Sequence, residues 1–277
     1  MPRAQTWAAW SLTLLLGACA KEQDDFAHYR DLLRDYSEYG DGQSESVGFV
    51  YQSNDQEELT RLREKYDLTT IAGDGDEISQ IMSLMLWVNE NIRHDGGAPR
   101  VSPPNADNII ETSLREDRGF SCRTVATVLN DFYLAVGFPS RLVTAKPMEH
   151  DFVDCHVVNA VYSTQLGKWV MMDSSFAGYF LDEQGTLLGP SEVRQRFVDG
   201  DPVDVSPHLN HNGERYYGYK EYMAKNLFRL ECPEQSAYNY EAQSRRTYVE
   251  LIPEDYEPES FSNYLYTTDR TAFWAAP

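Results

Sequence analysis

The strongest constraint on the fold is an amphipathic helix that is followed directly by three strand-like runs. The helix is predicted over residues 122–136, where apolar residues recur at helical spacing until Gly137 ends the pattern. The runs at 140–145, 155–162 and 168–173 are short and apolar. Because helices come first along the chain and then feed an antiparallel sheet, we expect an α+β fold.

Further elements are predicted on both sides of this unit. Helices are expected at 26–39, 54–66, 76–93, 105–114, 191–198 and 216–228, and late strands at 246–252 and 271–274. Ser191 is the expected N-cap of the helix near Pro190.

Charge and composition exclude one class of partner. The 277 residues include 24 Lys and Arg against 44 Asp and Glu, which gives a formal net charge of −20. Binding to nucleic acid depends on clustered cations that neutralise phosphates, so no nucleic-acid partner is expected. Hydrophobic residues make up 42% of the chain, which is enough for a folded core.

Residues 1–19 are typical of an export signal. Arg3 supplies a short basic start, and the apolar stretch at 7–16 is too short to span a membrane as a helix. The run LGAC at 16–19 resembles a bacterial lipobox, in which the signal peptide is cut and Cys19 becomes the lipidated first residue. The residues 18–20 also fit an ordinary cleavage site, which would remove the cysteine. Both interpretations predict export.

A lipidated chain is expected at the cell envelope, held to the lipid bilayer through its N-terminal anchor. By resemblance to Gram-negative lipoproteins, Ala20 after the cysteine favours the outer membrane. The alternative is a secreted or periplasmic protein. After the signal we expect a tether and N-terminal helices at 20–75, a core at 76–200 and a C-terminal extension at 201–277 that packs on the core.

Cys122 stands where a nucleophilic thiol is favoured. It lies at the start of the predicted helix, after Gly119-Phe120-Ser121. The free N–H groups and the dipole of a helix N-terminus stabilise a thiolate and can also hold an oxyanion. Position alone is weak evidence, since most cysteines at helix starts are buried and inert.

A histidine and an aspartate are predicted on neighbouring strands. His156 shares a strand face with Val158, and Asp173 ends an apolar strand, where a carboxylate needs a partner. If residues 164–167 form a four-residue hairpin loop, Asp173 lies opposite Val158 and within reach of His156. An odd-numbered loop would put the two on opposite faces. The order Cys, His, Asp along the chain favours a catalytic triad.

At this point the sequence resembles the transglutaminase-like superfamily. The matching stretches are GFSCRTVATVLNDFYLAVGFPSRLV, DCHVVNAVY and KWVMMDSSF, within about 76–200. The resemblance implies a papain-like core in which the helix that carries the cysteine packs on an antiparallel sheet. It implies Cys122 as nucleophile, His156 as general base and Asp173 as the residue that orients the histidine.

The resemblance also implies a cysteine-dependent acyl transfer without a cofactor. The expected substrate is an amide of a peptide or protein at the cell envelope, resolved by hydrolysis or by transamidation. No calcium pattern of spaced Asp and Asn is found, and Arg123 stands where animal transglutaminases have Trp, which favours hydrolysis over cross-linking. The alternative is a non-catalytic binding or scaffold lipoprotein that retains the fold. Asn105 and Asn108 are candidates for a side-chain oxyanion donor.

The remaining cysteines and histidines are interpreted as non-catalytic. Cys155 and Cys232 are left as a candidate disulfide pair in an exported chain. No Cys/His cluster has zinc spacing, so no metal site is expected. Histidines expected to be solvated or without ligand partners are His94, His150, His208 and His211. His150 could instead line the cleft.

Overall fold

The fold is given by a computed structural model that describes residues 25–36, 38–42, 47–150 and 154–277. The predicted signal peptide and Cys19 lie outside the described residues. The helices are α1 (residues 25–35), α2 (Glu57–Lys65), α3 (Leu68–Ala72), α4 (Glu77–Asn91), α5 (Ala106–Glu116), α6 (Cys122–Val136), α7 (Pro190–Asp199), α8 (Tyr219–Asn226) and α9 (Arg270–Phe273).

The strands that build the main sheet are β2 (Ser140–Lys146), β3 (His156–Ser163), β4 (Lys168–Met172), β9 (Arg229–Pro233), β11 (Tyr248–Leu251) and β12 (Tyr264–Thr267). Two-residue strands form small pairs: β1 (Val50–Tyr51) with β10 (Gln235–Ser236), β5 (Phe180–Leu181) with β6 (Asp204–Val205), and β7 (Asn210–His211) with β8 (Glu214–Arg215).

One six-stranded sheet organises the described part of the chain. Its order is β12-β11-β9-β2-β3-β4, and every pair is antiparallel except β11 with β12. α6 packs against β2 and β3. The prediction of an α+β fold, with the cysteine helix on the sheet, is therefore confirmed.

Half of this sheet comes from the part of the chain after residue 200. β9 pairs with β2, and β11 and β12 extend the sheet beyond it. The sheet thus continues across the expected boundary between the core at 76–200 and the extension at 201–277. The division of the chain into these parts stays a prediction.

Two apolar layers cover the two faces of the sheet. Val161 and Met172 face the layer that contains α2 to α6. Val158 and Met171, on the same two strands, face a second layer that includes residues of α1, α7, α8 and α9. Successive side chains of a strand point to opposite faces, so the alternation along β3 and β4 fills both layers.

Strand register brings Asp173 to the face of His156. Residues 164–167 form a four-residue turn, and β3 pairs with β4 from Ser163 opposite Lys168 to Asn159 opposite Met172. One further step sets Asp173 opposite Val158. An even-numbered loop is the condition under which Asp173 and His156 were predicted to share a face of the sheet.

Helix ends follow local signals. α6 spans the residues that the periodicity predicts, and Gly137 ends it at a φ of 98°, a conformation that favours glycine. α7 begins earlier than expected, because Gly189 and not Ser191 is its N-cap. The Glu192 side chain accepts a hydrogen bond from the Gly189 N–H at 2.7 Å, and Pro190 occupies the first helical position.

The strand predicted at 271–274 is wrong, because these residues belong largely to α9. The Asp269 side chain accepts a hydrogen bond from the Ala272 N–H at 2.9 Å and caps this short helix. The last strand of the sheet is β12, which the apolar pattern did not indicate.

The candidate disulfide between Cys155 and Cys232 does not form, and both thiols are free. β2 separates them: Ala145 pairs with His156 on one side and with Leu230 on the other. Two strand spacings amount to about 9.6 Å. A disulfide requires Cα atoms closer than about 7 Å. Burial raises the pKa of the Cys232 thiol to about 12.

We therefore expect both thiols to stay reduced in secreted protein. Iodoacetamide added after unfolding in the absence of reductant should label Cys155 and Cys232, as read by peptide mass spectrometry. In the native protein Cys232 should be protected, because it is fully buried. A peptide pair linked through these two cysteines would contradict the observed register.

Candidate active site

Cys122 is the first residue of α6. Ser121 precedes it as the N-cap, with extended backbone. The N–H groups of the first helical turn have no partner within the helix and, with the helix dipole, favour negative charge at this position. The Cys122 side chain is half-buried and packs against Ala126, Leu142 and Val157.

His156 and Asp173 form a direct contact beside the thiol. His156 opens β3, and Asp173 follows the last residue of β4. The Nε2 atom of His156 lies 2.6 Å from Oδ2 of Asp173, and the two side chains are 1% and 0% exposed. Because Nε2 is engaged by the carboxylate, Nδ1 is the ring nitrogen left for Cys122.

The Asp173 carboxylate has further donors. The Tyr219 hydroxyl donates to Oδ2 at 2.8 Å, and the Ser175 N–H donates to Oδ1 at 2.9 Å. A buried carboxylate needs such partners. Burial and the charge of Asp173 raise the pKa of Tyr219, so its hydroxyl remains a donor. A Cβ at Gly178 would lie 2.6 Å from the Tyr219 hydroxyl, so only glycine permits this approach.

Aromatic rings enclose the His156 imidazole. The ring centroids of Phe176 and Tyr222 lie 5.4 and 5.2 Å from that of His156. Tyr222 also donates from its hydroxyl to Asp154 at 3.2 Å. These rings restrict the imidazole and lower the local dielectric, which strengthens its pairing with Asp173.

The electrostatics of the site favour a thiolate–imidazolium pair. Burial alone would raise the pKa of Cys122, but hydrogen bonds from His156 and His94 lower it to about 6. Burial alone would lower the pKa of His156, but the charge and the hydrogen bond of Asp173 raise it to about 10. Between these pH values Cys122 is ionised and His156 is protonated.

His94 is a residue that sequence analysis missed, because it was expected to be solvated. It is half-buried, and its backbone bridges to that of Phe120, two residues before Cys122. The Asp95 N–H donates to the Phe120 carbonyl at 2.7 Å, and the Phe120 N–H donates to the Arg93 carbonyl at 2.8 Å. A Cβ at Gly119 would lie 2.6 Å from Cβ of Asp95, so glycine allows the two segments to meet.

The hairpin of β7 and β8 holds His94 from the other side. Nδ1 of His94 lies 3.0 Å from Nε2 of His211. The Asn212 side chain accepts from the His94 N–H at 2.8 Å and donates to the His94 carbonyl at 3.0 Å. Asn212 and Gly213 both have positive φ, which is typical of a tight hairpin turn. Burial and then the charge of His94 lower the pKa of His211.

The other residues that the sequence offered as candidates for the site make contacts elsewhere. Asn105 caps α5 by accepting from the Asn108 N–H at 3.0 Å, and the Asn108 side chain donates to the Pro103 carbonyl. The Asn105 side-chain N–H group donates to Oδ1 of Asn239, so both amide donors already have partners. His150 stacks on the Tyr256 ring, and His208 is exposed.

A polar cavity of about 600 Å³ adjoins the His94 hairpin, lined among others by Asn89, Arg93, Asn210 and Asn212. A second cavity of about 590 Å³ lies between α7 and the C-terminal residues, and none of Cys122, His156 and Asp173 lines either cavity. Among the described residues, no group of three or more His, Cys, Asp or Glu is arranged to hold a metal ion. No helix in the described ranges has the length and hydropathy to cross a membrane.

Residues 64–174 match the model of the Transglutaminase-like superfamily. This segment carries Cys122, His156 and Asp173. The superfamily resemblance seen in the sequence is confirmed for this part of the chain. No curated protein sequence matches the chain.

Several solved structures are similar over part of the chain. A candidate cysteine protease from Cytophaga hutchinsonii is 15% identical with a TM-score of 0.34, covering 53% of this chain and 48% of that one. LapG from Legionella pneumophila is 19% identical with a TM-score of 0.32, covering 47% of this chain and 75% of that one. The chain thus spans about half the length of the Cytophaga protein.

The reactivity of Cys122 should follow its low pKa. We expect its alkylation by iodoacetamide to rise with pH, with half its maximum near pH 6, because the thiolate is the reactive form. Asp173→Asn should move this midpoint upward by about one pH unit or more, since it removes the charge that keeps His156 protonated. Cys155 is the internal reference, because burial raises its pKa. A wild-type midpoint near the ordinary thiol value of about 8.5 would contradict this arrangement.

Proposed function

We propose that the chain is an exported, cysteine-dependent acyl-transfer enzyme that acts on amides of peptides or proteins. Cys122 is the nucleophile, His156 the general acid and base, and Asp173 the orienting carboxylate. The observation that carries the proposal is the buried Asp173–His156 contact of 2.6 Å beside a thiol whose pKa is lowered to about 6. Burying this charged pair costs desolvation free energy, and a non-catalytic scaffold would have no use for such a pair.

The first step is attack on the amide. The Cys122 thiolate forms a bond to the carbonyl carbon, and the π electrons of the carbonyl move to its oxygen. N–H groups at the start of α6 can donate to that oxygen. When the oxyanion collapses, the C–N bond breaks, and the leaving nitrogen takes the proton from Nδ1 of His156. The acyl group remains on sulfur as a thioester.

The second step regenerates the enzyme. Neutral His156 removes a proton from water while the water oxygen attacks the thioester carbonyl. The C–S bond then breaks, which releases a carboxylic acid and restores the thiolate beside a protonated imidazole. An amine in place of water would give transamidation. We favour hydrolysis, because water is present wherever the enzyme acts.

The substrate class is supported by the match of residues 64–174 to the Transglutaminase-like superfamily, since this segment carries Cys122, His156 and Asp173. Resemblance to that superfamily implies an amide of a peptide or protein as the acyl donor.

The catalytic proposal is tested by acylation with p-nitrophenyl acetate. We expect a burst of p-nitrophenolate of about one per chain, with the acetyl group on Cys122 by mass spectrometry. Cys122→Ala should abolish the burst. His156→Ala should slow it by about 100-fold or more, because no base then supports the thiolate.

Cys155→Ala is the matched control and should leave the burst unchanged. If instead Cys122 were acetylated no faster than Cys155, and His156→Ala made no difference, the protein would be the non-catalytic binding lipoprotein.

Export and anchoring form a separate proposal, carried by the run LGAC at 16–19. In a Gram-negative host, mature protein should partition into detergent and carry acyl chains on Cys19. Cys19→Ser should abolish the lipid and shift the protein to the soluble fraction. A mature, soluble chain that begins at Lys21 would instead favour ordinary secretion to the periplasm or medium.

A further inference from the structure

We infer that His94 is a further catalytic residue, whose Nε2–H donates to the substrate carbonyl oxygen as it becomes an oxyanion, and that the β7–β8 hairpin positions it. This inference rests on the proposed acyl transfer at Cys122. It assigns the side-chain donor that neither Asn105 nor Asn108 provides, since the Asn105 amide donates to Asn239 and the Asn108 amide donates to the Pro103 carbonyl.

His94 is fixed in place from two sides. Its backbone bridges to Phe120, and Asn212 holds both its N–H and its carbonyl. The ring of Phe176 lies 5.5 Å from the His94 ring and 5.4 Å from the His156 ring. Two imidazoles therefore flank one aromatic ring, and both lower the pKa of the Cys122 thiol.

The contact with His211 determines which His94 nitrogen is left for the sulfur. Nδ1 lies 3.0 Å from Nε2 of His211, so Nε2 is left for Cys122. A neutral His94 ring that accepts at Nδ1 keeps its proton on Nε2, and a doubly protonated ring carries protons on both nitrogens. Because a thiolate can only accept, a hydrogen bond to it requires the proton on Nε2. The nitrogen that faces the reacting sulfur is thus a donor.

The same donor suits the transition state. The oxygen that gains charge is bonded to the carbon that sulfur attacks, so a group that donates to the sulfur lies within reach of that oxygen. His156 cannot fill this role, because its Nδ1 proton goes to the leaving nitrogen. A donor aimed at the developing oxyanion contributes typically 100- to 1,000-fold in rate.

Two reagents distinguish donation to the oxyanion from stabilisation of the Cys122 thiolate. Iodoacetamide alkylates sulfur by displacement of iodide and forms no oxyanion, whereas p-nitrophenyl acetate passes through a tetrahedral oxyanion. His94→Met keeps the approximate size of the side chain without an N–H donor, and His94→Gln keeps an N–H donor. The exposed His28 of α1 supplies the matched control, His28→Ala, because it lines neither of the two cavities described above.

We expect His94→Met to slow acetylation of Cys122 by about 100-fold. Its alkylation by iodoacetamide, measured at pH 9 to saturate the thiolate, should fall less than about 10-fold, since only thiolate support is lost. His94→Gln should recover most of the acetylation rate, and His28→Ala should match the wild type in both reactions. His211→Phe should reduce acetylation less than His94→Met, because His211 acts through His94.

Equal losses in the two reactions for His94→Met would overturn the inference while leaving Cys122 as the nucleophile. So would a folded His94→Gln variant, judged by its melting temperature, that is no faster than His94→Met. If His94→Met does not fold, His94→Gln against the wild type decides, and a 100-fold loss there contradicts a donor role. A wild-type Cys122 that is not acetylated would overturn both this inference and the proposed function.

Discussion

The buried carboxylate of Asp173 is the constraint on which the site depends. A charge with no exposure to water is stable only if its oxygens are hydrogen-bonded, and three groups from different parts of the chain meet this need: His156, Tyr219 and the Ser175 N–H. Each donor fixes an element. His156 fixes the start of β3, Ser175 fixes the turn after β4, and Tyr219 fixes the start of α8.

Asp173 affects the pKa of the Cys122 thiol through His156, although no hydrogen bond among the described residues joins Asp173 to Cys122 directly. Asp173 keeps the pKa of His156 near 10, and the protonated imidazole in turn lowers the pKa of Cys122. The start of α6 adds the field of its free N–H groups. The electrostatic effect therefore passes from the fully buried Asp173 through the buried His156 to the half-buried Cys122.

Local signals made part of this site predictable. The periodicity of α6, the glycine that ends it and the even length of the loop at 164–167 are sequence features, and together they set Cys122, His156 and Asp173 on neighbouring elements. Those elements are consecutive in the chain, so their arrangement follows from short connections.

The missed features depend on distant partners. β9 alternates charged and apolar residues and ends in Pro233, which does not resemble a central strand. Its buried charges are tolerated because ion pairs reach across the sheet: Arg229 with Glu250, and Glu231 with Lys146 and Arg123. Only the fold reveals these pairings. His94 was missed for the same reason. It lies in a loop before α5, and its partner His211 lies in a hairpin more than a hundred residues later.

The site and the sheet depend on the same C-terminal residues. Tyr219 donates to Asp173, His211 engages His94, and β9 completes the hydrogen bonding of β2, yet all three follow residue 200. The match to the superfamily ends at residue 174, so it includes Cys122, His156 and Asp173 but not Tyr219 or His211. Gly178 links the two sets, because its missing side chain lets Tyr219 reach the carboxylate. Cys122, His156 and Asp173 thus lie in the part that resembles the family, whereas Tyr219 and His211, which contact Asp173 and His94, lie in the part that does not.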